Sequence, residues 1–173
     1  MGDFKMGSKT IMSQSGTSNP TLGANAPTGA VLRTFYNESD AVTQGLSTAA
    51  GILYWDELNL DIPASSTSDY LIIMLTLNSI MTEDATAYLD IGFAYSVDDW
   101  TNKIQLGTTE YYNKHGYNAA ANLEVTSSSV TIRVNHPTTS AYKIRPKLHA
   151  SNQTVEFNWG STRSTILAME VKG

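Results

Sequence analysis

Alternation of apolar and polar residues, repeated from Val31 to the end of the chain, is the feature that most limits what this sequence can fold into. The clearest stripe occupies every second position of one segment: Ala87, Leu89, Ile91, Phe93 and Tyr95. A period of two residues is that of a β-strand with one buried face, whereas no stretch has the i, i+3, i+4, i+7 spacing of a core helix. The body therefore consists of strands, and only 43–50 leaves room for a short helical turn.

The number and spacing of these stripes predict the fold class. About eight or nine short strands separated by Gly, Pro, Ser and Asn turns indicate an all-β protein, an antiparallel β-sandwich with a jelly-roll arrangement. The segment 70–77 is apolar on both faces, so we expect a central strand that is covered on both sides. Pro146 interrupts the alternation of 142–148, and because proline removes a backbone donor we expect that strand at a sheet edge or with a bulge.

The first thirty residues have a different composition, rich in Gly, Ser, Thr, Asn and Pro with scattered Met, Ile and Leu. Such a segment cannot bury a core of its own, so we expect an extended N-terminal arm over 1–29 and one β-sandwich domain over 30–173. A polar arm on a compact body is typical of a protein that attaches to a larger structure. The residues expected to anchor the arm on a partner are Lys5, Met6, Lys9, Ile11, Met12, Leu22 and Pro27.

The composition argues against several classes of function. A net charge of -5 disfavours non-specific binding to nucleic acid, and the absence of cysteine removes disulfides, thiolate catalysis and Cys-based zinc sites. No apolar run is long enough to cross a bilayer, and the N-terminus lacks the apolar segment of a secretory signal. We expect a soluble protein that binds neither nucleic acid nor membrane directly.

Patterns of catalytic or metal-binding residues are also missing from the sequence. His115, His136 and His149 have no partner at a metal-binding spacing, and we expect exposed loop or strand-face histidines. Adjacent carboxylates such as those at 98–99 point to opposite faces of a strand, so they do not converge on one substrate. No nucleophile elbow, P-loop or dinucleotide fingerprint is present, although a triad assembled only by folding stays open. We expect no enzyme activity and no cofactor.

Two groups of residues are candidates for binding. The segment 126–154 contains no acid, and its cations predict a positive face that contacts an acidic patch on a neighbouring subunit: Arg133, Lys143, Arg145 and Lys147. The alternative is that these cations protect an edge strand against unwanted pairing. The second group consists of aromatic residues suited to stacking on sugars or packing at an interface, unless they cap the core: Trp100, Tyr111, Tyr112 and Tyr117.

The two ends of the chain carry a family resemblance. The closing segment reads Ser164-Thr165-Ile166-Leu167-Ala168-Met169-Glu170-Val171, and the opening one contains GSKTIMSQSG at 7–16 followed by Pro27-Thr28-Gly29-Ala30-Val31-Leu32. These segments resemble the last strand (S-T-I-x-A-[MI]-E-[IV]), the lead-in and the first strand (P-x-G-x-[VI]-L) of a β domain that is common in structural proteins of tailed phages. The resemblance covers about a quarter of the residues directly.

The resemblance implies a virion structural protein on the outer surface of the particle, assembled in the host cytoplasm. The family includes small head-decorating proteins and tail-fibre tips, and the absence of a fibre shaft, heptads or repeats before the body favours the former. A decoration, or cement, protein would stabilise the head by bridging subunits of the major capsid protein or another virion protein through its arm. The resemblance also implies a homotrimer. The alternative is a tail-fibre tip or receptor-binding module that recognises host-surface glycans.

Overall fold

A computed structural model describes residues 2–6, 9–14, 21–22, 26–41, 43–46, 51–82, 88–116, 124–150, 155–158 and 162–173. These residues form fifteen strands and one 3₁₀ helix, Asp56–Leu58. The strands are β1 (Gly2–Met6), β2 (Lys9–Gln14), β3 (Thr21–Leu22), β4 (Val31–Ser39), β5 (Thr43–Leu46), β6 (Ile52–Tyr54), β7 (Leu60–Ile62), β8 (Tyr70–Thr82), β9 (Tyr88–Ser96), β10 (Ile104–Gln105), β11 (Asn113–Gly116), β12 (Glu124–Asn135), β13 (Tyr142–Ala150), β14 (Val155–Phe157) and β15 (Ser164–Val171).

Two antiparallel sheets form the body, and we name each after a central strand. The β8 sheet has the order β4, β15, β8, β12. Beside the last residues of β8, β14 takes the place of β15, and β5 pairs with β14. The β13 sheet has β6 and β7 at one edge, then β13 and β9, with β10 and β11 at the other edge. When β4 and β5, β6 and β7, β10 and β11, and β14 and β15 are each taken as one interrupted strand, eight strands remain and pair in the order of two Greek keys, which is a jelly roll. The predicted all-β sandwich is confirmed.

The core lies between the two sheets and is built from the inward positions of each strand. The central strands contribute side chains that are almost completely buried: Leu71, Ile73, Leu75, Leu77, Leu89, Ile91, Phe93, Ile144, Leu148, Ile166 and Ala168. Burying one Leu or Ile side chain stabilises the fold by about 2 kcal/mol before entropy is counted. The alternation in the sequence therefore has its cause in this single shared interior.

The strand β8 is central, as predicted, but only one of its faces is covered. β12 pairs along one edge, and β15 and then β14 pair along the other. The inward residues are buried, whereas Tyr70, Ile72, Met74 and Thr76 on the outer face remain partly exposed. The expectation of cover on both faces is thus wrong for the described part of the chain, because a two-layer sandwich buries one face of each sheet.

β13 is an interior strand, not the edge strand that Pro146 had indicated. It pairs with β9 on one side and with β6 and β7 on the other. The pairing with β6 ends at Lys147 and that with β7 begins at Ile144, because the 3₁₀ helix interrupts the partner strand between them. The Pro146 carbonyl accepts a hydrogen bond from the Trp55 N–H at 3.1 Å. Proline is tolerated there because the neighbouring strand is broken where the missing donor would pair.

The segment 43–50 does not contain the helical turn that we considered, as far as it is described. Thr43–Leu46 is strand β5 and pairs with β14, while 47–50 lie outside the described residues. Likewise, the apolar stripe that begins at Val155 forms β14, but Trp159 lies outside the described residues.

A buried asparagine fills the junction where β15 gives way to β14 along β8. Asn158 is fully buried with φ of 59°, and its side-chain amide donates to the carbonyls of Ser39 at 2.8 Å and Ala41 at 3.0 Å. Its side-chain oxygen accepts from the Ser164 hydroxyl at 2.7 Å, and its backbone N–H donates to the Asn78 carbonyl at 3.0 Å. Asparagine suits both demands, since it tolerates the left-handed region and carries a donor and an acceptor.

We expect Asn158→Ala to lower the free energy of unfolding by about 3 kcal/mol, because two buried carbonyls lose their donor and the backbone becomes strained. Asn158→Gly removes the same hydrogen bonds but keeps the conformational freedom, so it should be about 1 kcal/mol less harmful. Urea unfolding of the two variants beside the parent chain measures both terms. Equal losses for alanine and glycine would contradict the backbone part of this account.

Candidate functional site

Six of the seven proposed anchor residues lie on strands of one small sheet in which β2 pairs with both β1 and β3. Lys5 and Met6 are in β1, Lys9, Ile11 and Met12 are in β2, and Leu22 is in β3. Met12 is the Cα partner of Phe4 and of Leu22, so three apolar residues share one register position across this sheet. The described part of the arm is therefore built of paired strands.

Pro27, the seventh proposed anchor, lies in the exposed turn that leads into β4. This turn is tied to the last residues of the chain. The Gly29 N–H donates to the Lys172 carbonyl at 2.8 Å, and the Lys172 N–H donates to the Ala30 carbonyl at 2.9 Å. Ala26 is already buried, so the arm joins the body at this point.

The four cations proposed as a positive face are divided between the sheets. Lys143, Arg145 and Lys147 occupy the outward positions of β13, as the alternation predicts. Arg133 lies on β12 of the other sheet, with its guanidinium 3.9 Å from the centre of the Tyr70 ring. The structure therefore brings three of the four together and separates the fourth.

The two lysines of β13 are paired with acids from an earlier segment of the chain. The Lys143 ammonium is 2.6 Å from Asp99 Oδ1, and this hydrogen bond raises the pKa of Lys143. The Lys147 ammonium is 2.7 Å from Glu110 Oε1 and only 6% of the residue is exposed. Burial lowers the pKa of Lys147, but the hydrogen bond and charge of Glu110 outweigh it and raise the pKa. Both charges are thus balanced inside the chain.

The aromatic residues proposed for sugar stacking are largely occupied by the chain itself. Trp100 is 9% exposed, and the Arg145 guanidinium lies 4.3 Å from the centre of its ring. Tyr111 is half-buried, with the Lys147 ammonium 4.7 Å from its ring centre and the His149 ring 6.0 Å away. These are cation–π contacts, which take up the ring face that a sugar would need.

Tyr112 faces the core of the sandwich, and Tyr117 lies outside the described residues. The Tyr112 hydroxyl donates to the Leu106 carbonyl at 3.0 Å, and its ring packs 6.2 Å from that of Phe93. Tyr112 therefore caps the core, which was the alternative interpretation of these tyrosines.

The segment 97–112, which we call the covering loop, includes β10 at the edge of the β13 sheet, and its parts around Trp100 and Tyr111 lie on the outer face of that sheet. Gly92 of β9 makes this possible, because a Cβ at that position would clash with the carbonyl oxygen of Glu110 and lie 3.3 Å from the Tyr111 ring. The Tyr112 N–H donates to the Ile91 carbonyl at 2.7 Å and fixes the loop on the strand. The chain thus covers the outside of this sheet with its own residues.

We expect Gly92→Ala to displace the covering loop, lowering the free energy of unfolding by about 2 kcal/mol and shifting tryptophan emission to the red as Trp100 becomes exposed. Gly51→Ala is the control, since its φ of 72° costs about 1 kcal/mol but a Cβ there meets nothing within 4 Å. Thermal unfolding and emission spectra of both variants test this, and an unchanged spectrum for Gly92→Ala would contradict the proposed role of this glycine.

A buried ionic cluster joins the two sheets beside the end of β12. Glu170 of β15 is 1% exposed and receives a two-pronged ion pair from Arg33 of β4, with Nη2 at 2.9 Å from Oε1. His136 is 3% exposed, with Nδ1 at 2.7 Å from the hydroxyl of Tyr142 and Nε2 at 3.4 Å from Glu170 Oε1. The geometry fits a tyrosine hydroxyl that donates to Nδ1 and an Nε2–H that faces the carboxylate.

The cluster shifts the titration of its members. Burial alone would raise the pKa of Glu170, but hydrogen bonds from His136, Arg33 and Ser65 and the charge of Arg33 outweigh it and lower the pKa to about 2. Burial and the nearby Glu170 carboxylate raise the pKa of Tyr142. The carboxylate is therefore ionised and the phenol neutral throughout the physiological range, and the cluster acts as a fixed clamp between β4, β13 and β15.

The exposed histidines that we expected are not all exposed. His136 is buried, which makes that prediction wrong for this residue, because the Tyr142 hydroxyl bonds to Nδ1 and the Glu170 carboxylate faces Nε2 at 3.4 Å from inside the sandwich. His149 is half-buried at 3.3 Å from Asp90 on the face of the β13 sheet, and the side chain of His115 lies outside the described residues. Across the described ranges, no three His, Asp or Glu residues form a group that could hold a metal ion.

Sequence reasoning missed this cluster although one signal pointed to it. Ile166, Ala168 and Glu170 share the inward side of the last strand, so an acid occupies a position where alternation demands an apolar residue. A carboxylate at an inward position requires a buried cation or donor. That partner is Arg33, which lies directly opposite Glu170 in the pairing of β4 with β15.

We expect the stability of the parent chain to be constant above about pH 4.5 and to fall progressively as pH drops toward 2. The folded-state pKa of Glu170 lies below its ordinary value of 4.5, so the unfolded chain takes up the proton first. The loss attributable to this group is on the order of 3 kcal/mol. Urea unfolding from pH 7 to pH 2 measures it.

Glu170→Gln is the control for this titration, since it keeps the shape of the side chain but not its charge. We expect this variant to be less stable than the parent at pH 7 and to show a shallower dependence on pH below 4.5. Parallel curves for the two chains would show that other carboxylates cause the acid dependence.

Comparisons with known proteins add little to this picture. The sequence matches no protein-family model and none of the curated proteins with which it was compared. Among solved structures, the chain is similar to a xylan-binding module (CBM15), with 16% identity, a TM-score of 0.37, and coverage of 79% of this chain and 90% of that one. A likeness this distant carries no argument about function. The one helix in the described ranges is three residues long, and no helix there could span a membrane.

Proposed function

We propose that this chain is a structural protein of a phage virion, and specifically a capsid decoration protein that attaches to the head through its N-terminal arm. One observation carries the proposal: β1, β2 and β3 form a sheet of their own and add no strand to either sheet of the sandwich. A jelly roll whose core is complete without the arm leaves the arm free to bind a partner.

The resemblance of both chain ends to phage structural proteins supports the same assignment. The closing Ser164–Val171 segment is the whole of β15, which lies between β4 and β8 in the middle of a sheet. The Pro27–Leu32 segment supplies the turn and the start of β4. The matching motifs thus coincide with structural elements that hold the arm to the body.

A physical role follows from this arrangement. Apolar residues of the arm, such as Met12 and Leu22, would add buried interface between neighbouring capsid subunits, and each bridged contact would oppose expansion of the shell by packaged DNA. Many copies on one lattice would act together, so weak individual contacts suffice.

The alternative, a tail-fibre tip that binds host glycans through aromatic residues, has less support. Trp100 is nearly buried under Arg145, and Tyr112 is committed to Leu106 and the core. A stacking platform needs an exposed ring face, and the described members of this group offer only the half-buried Tyr111.

Removal of residues 1–25 tests the proposal. The cut precedes the buried Ala26, so we expect the truncated chain to fold with a melting temperature close to that of the full chain but to lose binding to the virus particles that carry it. The measurement is occupancy on purified particles, quantified against the major capsid protein. Full occupancy by the truncated chain, or only a few copies per particle for the full chain, would overturn the decoration role.

A second comparison separates the arm from the body. Replacing Met6, Ile11 and Met12 together by serine should reduce occupancy at least tenfold, since these are three of the apolar residues proposed to anchor the arm. The matched control replaces Val97 and Ile104, exposed apolar residues of the body, by serine and should leave occupancy unchanged. Equal loss in both variants would place the contact on the body instead.

A further inference from the structure

The outer face of the β8 sheet carries apolar side chains where a solvent-facing sheet carries polar ones. Met74 and Ile72 of β8 are Cα partners of Leu167 and Met169 of β15, and all four side chains are partly exposed. Tyr36 of β4, the Cα partner of Leu167 on its other side, is 60% exposed. We call these five residues the outer patch.

The described part of the chain does not place another layer over the outer patch. Four of its side chains are partly exposed and Tyr36 is 60% exposed, and the 3₁₀ helix that contacts β15 does not cover it. That helix lies on the core side, since the inward-facing Asn37 donates to the carbonyls of Glu57 at 3.0 Å and Asn59 at 2.9 Å. The patch therefore faces outward.

The outer face of the β13 sheet offers a comparison, because residues of the same chain cover it. There the covering loop lies on Gly92, and the cations of β13 stack on rings from that loop. On the β8 sheet the outward positions at the centre are Ile, Met and Leu instead of cations that would pair with a loop. Contiguous exposed apolar groups of this kind mark an interaction site.

We propose that the outer patch packs against a second copy of this chain. Four strands about 4.8 Å apart, each presenting about eight residues at about 3.4 Å, make a face of about 500 Å². Two such faces together bury about 1,000 Å², which is the minimum for a specific interface between proteins. Thr131 and Thr34 at the ends of the two patch rows, and Thr76 in the next row, provide hydroxyl groups for its rim.

The charges around the patch favour a copy of the same chain. Arg133 lies on the β12 edge of the face. Glu38 and Asp40 lie at the β4 edge, where both pair with Arg163, so that edge keeps an excess of one negative charge. A two-fold axis parallel to the strands would lay β12 of one copy over β4 of the other, so the edge with Arg133 would face the edge with the excess of acid, with Arg133 level with Thr34. The centre of the face is uncharged, so its own copy meets no repulsion.

The experiment uses the isolated full chain and does not depend on the proposed function. Sedimentation equilibrium over a range of concentrations should show a mass of two or more copies for the parent. The double variant Ile72→Glu with Leu167→Glu should be at least tenfold weaker in self-association, because it buries charge in the apolar centre. The control pair, Ile52→Glu with Ile104→Glu, alters exposed apolar residues of the β13 sheet and should associate like the parent.

Tyr36→Lys guards against the case in which the double variant fails to fold. Because Tyr36 is 60% exposed, its replacement leaves the core intact, and circular dichroism should match the parent while association weakens. A parent chain that stays monomeric throughout the concentration range would overturn the proposal. Association that is the same in the parent, Tyr36→Lys and the control pair would overturn it as well, since the contact would then lie elsewhere.

Discussion

A two-layer sandwich buries the inner face of each sheet and leaves two outer faces. The rest of this structure depends on whether the chain covers each outer face with its own residues. The inward face of each sheet follows from alternation, since every second residue enters the shared core. The outward faces do not follow from it, and here they differ. The β13 sheet is covered by the chain's own loop over Gly92, whereas the β8 sheet presents the outer patch. The proposed self-association of the chain rests on that difference.

Polar groups inside the sandwich lie where regular pairing stops. Asn158 fills the gap between β15 and β14, and it supplies donors to carbonyls that have lost a strand partner. Glu170 lies near the end of β15, where Arg33 and His136 converge on its carboxylate. Buried backbone groups without hydrogen bonds and buried charges without partners both lower the stability of the fold. In each case here a single side chain supplies the missing partner. These residues therefore stabilise the points at which a jelly roll departs from simple ladders.

Alternation predicted the strands well because it reflects which side chains of a strand are buried, and each strand shows this pattern by itself. It could not predict pairing, which depends on what the neighbouring strand does. Pro146 illustrates this, since its effect vanishes once the 3₁₀ helix interrupts the partner strand. The same limit applies to the β5 segment at 43–46, where apolar content is low and pairing with β14 decides the conformation.

The candidate sites were harder to predict because charge and exposure are properties of the assembled surface. Lys143, Arg145 and Lys147 do share one face, as spacing requires, but acids distant in sequence balance the charges of the two lysines, and the Trp100 ring covers Arg145. The polar N–H of its indole makes Trp100 compatible with an exposed loop, yet Arg145 and the sheet bury the side chain. Only the inward position of Glu170 held a signal in the sequence itself, because an acid on a core face requires a buried partner.

The arm and the outer patch would serve different contacts, the arm with the capsid and the patch with a second copy of this chain. An arm that forms its own sheet would add buried area on the capsid surface, and the affinity of one arm for that surface is limited by the entropy lost on binding. Association through the outer patch would join two or more arms in one particle, so that the second arm binds at a high effective concentration once the first is attached. The patch would thereby raise the affinity of the arm for a repeating lattice without any additional contact to that lattice.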